Sequence, residues 1–178
     1  MKRVVCIVGM LDFVSVRHLM WAPIERAFEQ YFPDVEVVVE HETYLPWQRQ
    51  RIADYGERIV QKYDDGVPTL LLGFSLGGVI ACGIAQKFMR TPITGVVSVA
   101  SPLKLAPLWG ICLPKAEDVR LLSFSGRYDF VVPSLLTGCH YTLPADHFVS
   151  FMTSEKPAWA VAKHVQGWLI EGDLEHYS

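Results

Sequence analysis

The sequence lacks an excess of positive charge, which bears on the partners that the protein can have. Its 16 lysine and arginine residues are outnumbered by 19 aspartate and glutamate residues, and the formal net charge is −3. Proteins that bind nucleic acids usually present a basic patch to the phosphate backbone. We therefore expect no nucleic-acid partner.

Long apolar runs and paired cysteines are also missing. No stretch approaches the roughly 20 apolar residues that a membrane-spanning helix needs. The apolar run at 4–11 is at the short limit for a secretory signal, and Asp12 ends it without a small-residue cleavage site. These absences favour a cytoplasmic protein with no membrane span, and nothing in the sequence demands a metal or an organic cofactor. The cysteines show no spacing typical of metal ligands or redox pairs: Cys6, Cys82, Cys112 and Cys139.

Short apolar runs alternate with helical patterns along the chain. Five runs lack the alternation of a half-exposed strand, which is typical of parallel strands covered on both faces. They are 4–8, 35–39, 69–74, 95–100 and 119–124, with 140–144 as a weaker sixth. Helical patterns cover 20–31, 52–63 and 76–89, and a last one begins near Ser154 with Pro157 in its first turn. This order predicts one domain over 1–178, a three-layer α/β/α sandwich with a mostly parallel central sheet of about six strands.

One segment, 101–118, breaks this rhythm. It contains three prolines and has no clear period, yet it carries several large apolar residues. Long apolar loops are uncommon in compact domains and often act as lids or binding loops. A lid or binding loop and a loop packed onto the core are both consistent with the sequence.

The stretch "GFSLGG" at 73–78 joins the third predicted strand to the third predicted helix. Its first five residues fit G-x-S-x-G, a motif that needs a strand before it and a helix after it. In such a sharp turn the serine backbone is strained, and Gly73 and Gly77 are pressed too close to carry side chains. A phosphate-binding loop is not favoured, because the G-x-x-x-x-G-K-[ST] pattern is absent. Ser75 is therefore the predicted nucleophile, the alternative being an ordinary glycine-rich loop.

A serine hydroxyl becomes a nucleophile when a base removes its proton and an acid orients that base. For this motif the expected chain order is serine, acid, histidine. His147 lies between the weak sixth strand and the last helix, within reach of the strand ends, and a structural histidine is the alternative. Asp129, shortly after the fifth predicted strand, is the predicted acid, although a solvated loop aspartate is also consistent with the sequence. Asp146 is the reserve, because sequence neighbours generally point apart.

The negative charge that develops on an attacked carbonyl oxygen needs two backbone N–H donors. One should belong to Leu76, the residue after the nucleophile, and the other to the loop after the first strand. Gly9 permits a turn there, so Met10 is the predicted second donor, with Leu11 next. Aromatic residues that could line a substrate pocket, or equally belong to the core, are Tyr44, Trp47, Trp109 and Phe148.

Three stretches together resemble members of the α/β-hydrolase superfamily. "GFSLGGVIA" resembles the nucleophile turn, "GRYDFVVP" the acid loop and "ADHFVSF" the histidine loop of small esterases, lipases and thioesterases. The resemblance runs from Val4 to Leu169. Two features depart from the family. Val8-Gly9 stands where the family often has His-Gly, and the short chain implies a reduced fold with a minimal cap or none.

The resemblance implies a serine hydrolase that cleaves a carboxylic ester or thioester of a small molecule. Ser75 would attack the acyl carbon, His147 would act as base and then as acid, and Asp129 would orient the imidazole. The same acyl-enzyme would also suit an acyltransferase, and a non-catalytic binding protein could keep the scaffold. These alternatives remain open at the level of the sequence.

Overall fold

The computed structural model describes residues 1–9, 17–115, 118–138, 140–147 and 155–175. Its strands are β1 (Arg3–Ile7), β2 (Glu36–Glu40), β3 (Thr69–Phe74), β4 (Ile93–Val99), β5 (Leu121–Gly126) and β6 (Tyr141–Leu143). Its helices are α1 (Arg17–Tyr31), α2 (Arg49–Tyr63), α3 (Leu76–Ile84), α4 (Ser134–Thr137) and α5 (Glu155–Glu175). Short 3₁₀ turns occupy Ala85–Lys87 and Leu103–Trp109.

All six strands form one parallel sheet in the order β2-β1-β3-β4-β5-β6. Helices pack on both faces, so the predicted three-layer α/β/α sandwich with a parallel central sheet is confirmed. β3 lies in the interior of the sheet, between β1 and β4. Because the strands are parallel, the segments that follow their carboxyl ends all leave the same edge of the sheet, where open α/β sheets bind ligands.

The sheet divides the core into two clusters. Val4 and Cys6 of β1 belong to the cluster shared with α1 and α5, and Val5 and Ile7 to the cluster shared with α2 and α3. All four side chains are fully buried. Successive residues of a strand point to opposite faces, so a strand covered on both faces must be apolar throughout. At about 1.5–3 kcal/mol for each large apolar side chain, this burial holds the three layers together.

The two edge strands differ from the prediction of strands covered on both faces. β2 lies at one end of the sheet, and its residues from Val37 to Glu40 are only half-buried. β6 lies at the other end, has three residues and exposes Tyr141 and Thr142. An edge strand has a neighbour on one side only, and the apolar pattern along the chain carries no information about position within the sheet.

The third helix is shorter than predicted. α3 ends at Ile84 and passes into a 3₁₀ turn, and at Phe88 the backbone is already extended, with φ −72° and ψ 126°. This change lets the Phe88 side chain pack against the cluster of α2 and α3. Met89, the last apolar residue of the predicted helical pattern 76–89, lies beyond the helix and is 92% exposed. The prediction for Met89 was therefore wrong.

The described part of 101–118 has a packed side and an exposed side. Leu103 and Ala106 are buried in the cluster of α2 and α3. The Trp109 indole N–H donates to the Pro46 carbonyl oxygen at 2.7 Å, which ties the 3₁₀ turn to the segment before α2. Leu108 remains 55% exposed. A role as a lid stays a prediction.

Candidate active site

Ser75 occupies the turn between β3 and α3, at the carboxyl edge of the sheet. Its backbone has φ 54° and ψ −129°, a conformation that residues with a Cβ atom rarely adopt. Such strain costs of order 1–3 kcal/mol and persists only where the surroundings enforce it. Here the Ser75 N–H donates to the Val99 carbonyl oxygen at 2.9 Å, which fixes the turn to the end of β4.

Close backbone approaches explain the glycines around Ser75. A Cβ atom on Gly73 would lie 2.3 Å from the Gly78 Cα, inside the turn itself. A Cβ atom on Gly77 would lie 2.1 Å from the Ile7 carbonyl oxygen, because the first turn of α3 packs against the end of β1. Neither neighbour is a flexible side chain that could move away. The steric requirement predicted from the motif is therefore present at both positions.

Three predicted side chains form a continuous hydrogen-bonded series. The Ser75 hydroxyl oxygen lies 3.1 Å from His147 Nε2, and His147 Nδ1 lies 2.7 Å from Asp129 Oδ2. A carboxylate oxygen can only accept, so Nδ1 carries the proton, and Nε2 of the neutral ring accepts from the Ser75 hydroxyl. All three residues are at least 92% buried, since their exposed fractions are 8%, 4% and 5% for Ser75, His147 and Asp129. Burial limits competition from water for these hydrogen bonds.

The two oxygens of Asp129 have different partners. Oδ2 accepts from His147, and Oδ1 accepts from the backbone N–H groups of Val131 and Val132 at 3.0 and 2.7 Å. The loop after β5 therefore fixes the carboxylate plane. Asp146, the reserve acid, is half-buried and next to His147 in the chain. Of the two candidate acids, Asp129 is the one that contacts His147 Nδ1, the ring nitrogen that does not face Ser75.

Backbone hydrogen bonds hold the acid and histidine segments side by side. The Arg127 N–H donates to the Leu143 carbonyl at 2.8 Å, and the Tyr128 N–H donates to the Ala145 carbonyl at 3.1 Å. These bonds continue the pairing of β5 with β6 beyond the last strand residues. His147 follows two residues after Ala145. The short β6 therefore places the imidazole beside the Asp129 loop.

The backbone near Ser75 includes one of the two predicted N–H donors. Leu76, buried with 3% exposure, is the first residue of α3, where helical N–H groups have no partner within the helix. Gly9, after β1, lies against the nucleophile, since a Cβ atom there would be 2.8 Å from the Ser75 Cβ and 3.4 Å from its hydroxyl oxygen. Met10 and Leu11, the predicted second donors, lie outside the described residues.

Ala100 is a feature of the site that the sequence does not reveal. It follows β4 with φ 50°, is fully buried, and donates its N–H to the Phe124 carbonyl at 2.8 Å. An alanine in this left-handed region carries a cost of roughly 1–2 kcal/mol. The resulting turn brings Ser101 beneath α3, where a Cβ atom on Gly78 would lie 2.0 Å from the Ser101 hydroxyl oxygen. An alanine in the sequence gives no indication that the backbone turns with a positive φ at that position.

The candidate pocket aromatics have separate locations. Tyr44 is buried in the core, Trp47 is 72% exposed, and Phe148 lies outside the described residues. Trp109 lines a cavity of about 360 Å³ between α2 and α3, together with Ile84 and Ile111. The lining of this cavity contains none of Ser75, His147 and Asp129.

Two other groups in the molecule bear on the chemistry. Burial raises the pKa of the Cys82 thiol to about 12 and also raises the pKa of the Cys6 thiol. Because the thiolate is the nucleophilic form of cysteine, neither buried thiol rivals the Ser75 hydroxyl. Within the described ranges, no group of three or more His, Cys, Asp and Glu side chains could hold a metal ion, and no helix is both long and apolar enough to cross a membrane.

Comparison with solved structures identifies many proteins of the same architecture. The ydeN gene product from B. subtilis is 16% identical, with a TM-score of 0.68 over 94% of this chain and 98% of that chain. The RedJ thioesterase from the prodiginine biosynthetic pathway in Streptomyces coelicolor is 14% identical, with a TM-score of 0.63 over 93% and 89%. A cutinase-like protein from Cryptococcus sp. is 12% identical, with a TM-score of 0.61 over 94% and 95%. At such identities the likeness shows the fold alone.

Comparison of the sequence itself is more specific. Residues 42–175, most of the chain, match the family model for the alpha/beta hydrolase fold. No curated protein matches the sequence. The matched region begins after β2, runs from α2 to α5, and includes Ser75, Asp129 and His147. The chain belongs to the α/β-hydrolase fold family.

Proposed function

We propose that this protein is a serine hydrolase that cleaves a carboxylic ester or thioester of a small molecule. Family membership supports hydrolase activity in general. The observation that carries the finer proposal is the unbroken series from Ser75 through His147 to Asp129, with contacts of 3.1 and 2.7 Å. A serine, a neutral imidazole and a buried carboxylate in this order are the groups that acyl transfer through serine requires.

In the proposed first step, the Ser75 oxygen forms a bond to the acyl carbon while its proton passes to His147 Nε2. Asp129 accepts from Nδ1 and stabilises the positive charge that then develops on the ring. The protonated Nε2 gives its proton to the leaving alcohol or thiol as the bond from the acyl carbon to that group breaks. A water molecule then attacks the acyl-enzyme, with Nε2 again as the base, and Ser75 regains its proton when the acid leaves.

The developing oxyanion is proposed to accept hydrogen bonds from the Leu76 N–H and from the N–H of Met10. Support for Leu76 comes from its position as the first residue of α3, where helix polarity also favours negative charge. Support for Met10 comes from the sequence and from the contact of the preceding Gly9 with Ser75. In other enzymes the loss of one such donor lowers kcat by about 10²–10³-fold.

Exposed apolar side chains of the segment 128–135, which contains Asp129, support an apolar acyl or aryl group in the substrate. Phe130 is 90% exposed, Leu135 67% and Tyr128 53%. Large apolar side chains grouped at the surface near a site usually contact a ligand or a partner. The RedJ thioesterase and the cutinase-like protein share the fold, and the name of the first describes an enzyme that cleaves thioesters. Both ester and thioester substrates therefore merit assay.

The proposal is tested by labelling and turnover together. A fluorophosphonate probe should modify Ser75 in the folded protein, and mass spectrometry should place the adduct on the peptide that contains it. Ser75→Ala should lose labelling and hydrolysis of p-nitrophenyl butyrate, whereas Ser134→Ala, an exposed serine in α4, should retain both. Thioester cleavage is monitored through the free thiol that it releases. A sample without substrate corrects for the exposed Cys112 thiol of the protein.

Each outcome of this experiment is informative. Absence of labelling at Ser75, with equal turnover by wild type and Ser75→Ala, would contradict a serine mechanism. Transfer of the acyl group to an added alcohol in preference to water would instead indicate an acyltransferase. Labelling without turnover of any ester or thioester would indicate that Ser75 is a reactive nucleophile but that the proposed substrate class is wrong.

A further inference from the structure

The end of β1 lies between the sheet and the nucleophile turn. Ile7 is its last paired residue, opposite Glu40 of β2 and Gly73 of β3. Val8 follows, and its carbonyl oxygen accepts a hydrogen bond from the Tyr44 hydroxyl at 2.9 Å. Beyond the last strand pair, a side chain from the segment after β2 thus supplies the donor to this carbonyl.

Val8 and Gly9 are packed directly against the turn that carries Ser75. A Cβ atom on Gly77 would lie 2.7 Å from the Val8 carbonyl oxygen, so this carbonyl contacts the first turn of α3. A Cβ atom on Gly9 would lie 2.8 Å from the Ser75 Cβ and 3.0 Å from the Phe74 carbonyl oxygen. A shift of the Val8 carbonyl would therefore be transmitted to the backbone that touches the nucleophile.

Tyr44 is itself held firmly. Its side chain is 1% exposed and belongs to the core cluster of α2 and α3. Its ring contacts the ring of Tyr55, with centroids 5.8 Å apart. A rigid aromatic ring with a buried hydroxyl fixes its hydrogen-bond acceptor more closely than a flexible surface side chain could.

We propose that Tyr44 is a positioning residue of the active site, which acts through the Val8 carbonyl to hold the Val8-Gly9 backbone against Ser75. The inference rests on the proposed function. Productive acyl transfer requires the nucleophile and the N–H donors within a fraction of an ångström of their working positions.

The chain contains a matched control for Tyr44. Tyr55 is 2% exposed, belongs to the same cluster, and donates its hydroxyl to the Glu40 carbonyl at 2.7 Å, at the end of β2. Tyr44→Phe and Tyr55→Phe each remove one buried hydroxyl that donates to a backbone carbonyl at a strand end. Only the first variant removes the donor to the Val8 carbonyl, whereas in Tyr55→Phe the Glu40 carbonyl can still accept from the Val8 N–H, 3.4 Å away.

The experiment measures kcat and KM for p-nitrophenyl butyrate, with the burst of p-nitrophenolate used to count competent sites. Tyr44→Phe should lower kcat per competent site by about 10–100-fold, less than the loss of a whole oxyanion donor, and change KM by no more than about twofold. Tyr55→Phe should keep kcat within about twofold of wild type. Its Tm should fall by about as much as that of Tyr44→Phe, because each variant loses one buried hydrogen bond. 4-Aminophenylalanine at position 44, which retains a donor, should recover most of the lost kcat.

The outcomes separate this inference from the proposed function. An active wild type with equal kcat values for Tyr44→Phe and Tyr55→Phe overturns the role of Tyr44 and leaves the serine mechanism intact. A wild type that neither turns over nor labels at Ser75 overturns both. If Tyr44→Phe does not fold, 4-fluorophenylalanine, which fills the space of the hydroxyl without donating, is compared with 4-aminophenylalanine. Equal kcat values for that pair overturn the inference.

Discussion

His147 Nδ1 and Asp129 Oδ2 lie 2.7 Å apart, although 18 residues separate them in the chain. The contact exists because the loops after β5 and β6 are joined by the Arg127–Leu143 and Tyr128–Ala145 backbone hydrogen bonds. The carboxylate is held by two backbone N–H groups through its other oxygen. The orientation of the imidazole is therefore set by the loop after β5.

Asp129→Asn should lower kcat by about 10⁴-fold, as the equivalent change does in serine proteases, because an amide can hold the imidazole in the wrong tautomer. The variant keeps an oxygen that can accept from Val131 and Val132, so its Tm should remain close to that of wild type. Steady-state kinetics and thermal unfolding measure the two quantities.

Asp146→Asn is the matched control for this prediction. It removes the reserve carboxyl group next to His147 and should change kcat by less than about fivefold, since Asp129 would still orient the ring. A large loss of kcat in Asp146→Asn together with a small loss in Asp129→Asn would reverse the assignment of the acid.

Gly77→Ala should destabilise the fold by about 3 kcal/mol or more, because the new Cβ atom would lie 2.1 Å from the Ile7 carbonyl oxygen. Gly167→Ala provides the opposite case. Gly167 lies in α5 with no atom within 4 Å of the position of an added Cβ, so alanine should stabilise the helix by about 0.5–1 kcal/mol. Urea unfolding of both variants checks the signs, and a stable Gly77→Ala protein would contradict the packing of α3 on β1.

The Arg3 side chain, which forms two hydrogen bonds to Asp65 at 2.8 and 3.1 Å, lowers the pKa of that carboxyl from 3.8 to about 2. A carboxyl whose pKa is lower in the folded state stabilises the fold above its unfolded pKa, and this contribution is lost as the pH falls from about 4 to about 2. Asp65→Asn should therefore reduce the dependence of Tm on pH in this window.

Asp54→Asn, which removes an exposed carboxyl from α2, is the control for the acid range. Circular dichroism melts between pH 2 and pH 7 compare the two variants with wild type. If Asp65→Asn and wild type lose Tm equally between pH 4 and pH 2, the Arg3–Asp65 pair makes no contribution to acid stability.

Phe130→Ser should raise KM for p-nitrophenyl octanoate about three- to tenfold and leave KM for the acetate nearly unchanged. Phe130 is 90% exposed beside Asp129, and an apolar contact to a long acyl chain is worth roughly 1 kcal/mol. Met89→Ser is the control, because Met89 is 92% exposed but precedes β4, at the opposite edge of the sheet. Equal effects of the two substitutions would exclude Phe130 from the acyl-binding surface.

Much of the fold and of the candidate site follows from local patterns. The apolar runs predict the six strands to within a few residues, and the inner strands are the clearest because apolar residues predominate in a strand that is covered on both faces. The Ser75 turn is predictable from the spacing of its glycines: Gly73 lies against Gly77 and Gly78 within the turn, and Gly77 lies against the end of β1. Single-domain organisation over 1–178 and a cytoplasmic location stay predictions from the sequence.

The tertiary structure alone decided which distant groups meet. The half-buried state of β2, the strained Ala100 and the Tyr44–Val8 hydrogen bond leave no trace in local periodicity. The sequence proposed Ser75, Asp129 and His147 from chain order, but only the strand order and register bring a histidine within 3.1 Å of a serine 72 residues away. Local patterns record strand burial and the nucleophile turn, because apolar runs mark buried strands and the glycine spacing marks a sharp turn. Contacts between loops depend on which strands lie side by side, and that is fixed only when the whole sheet assembles.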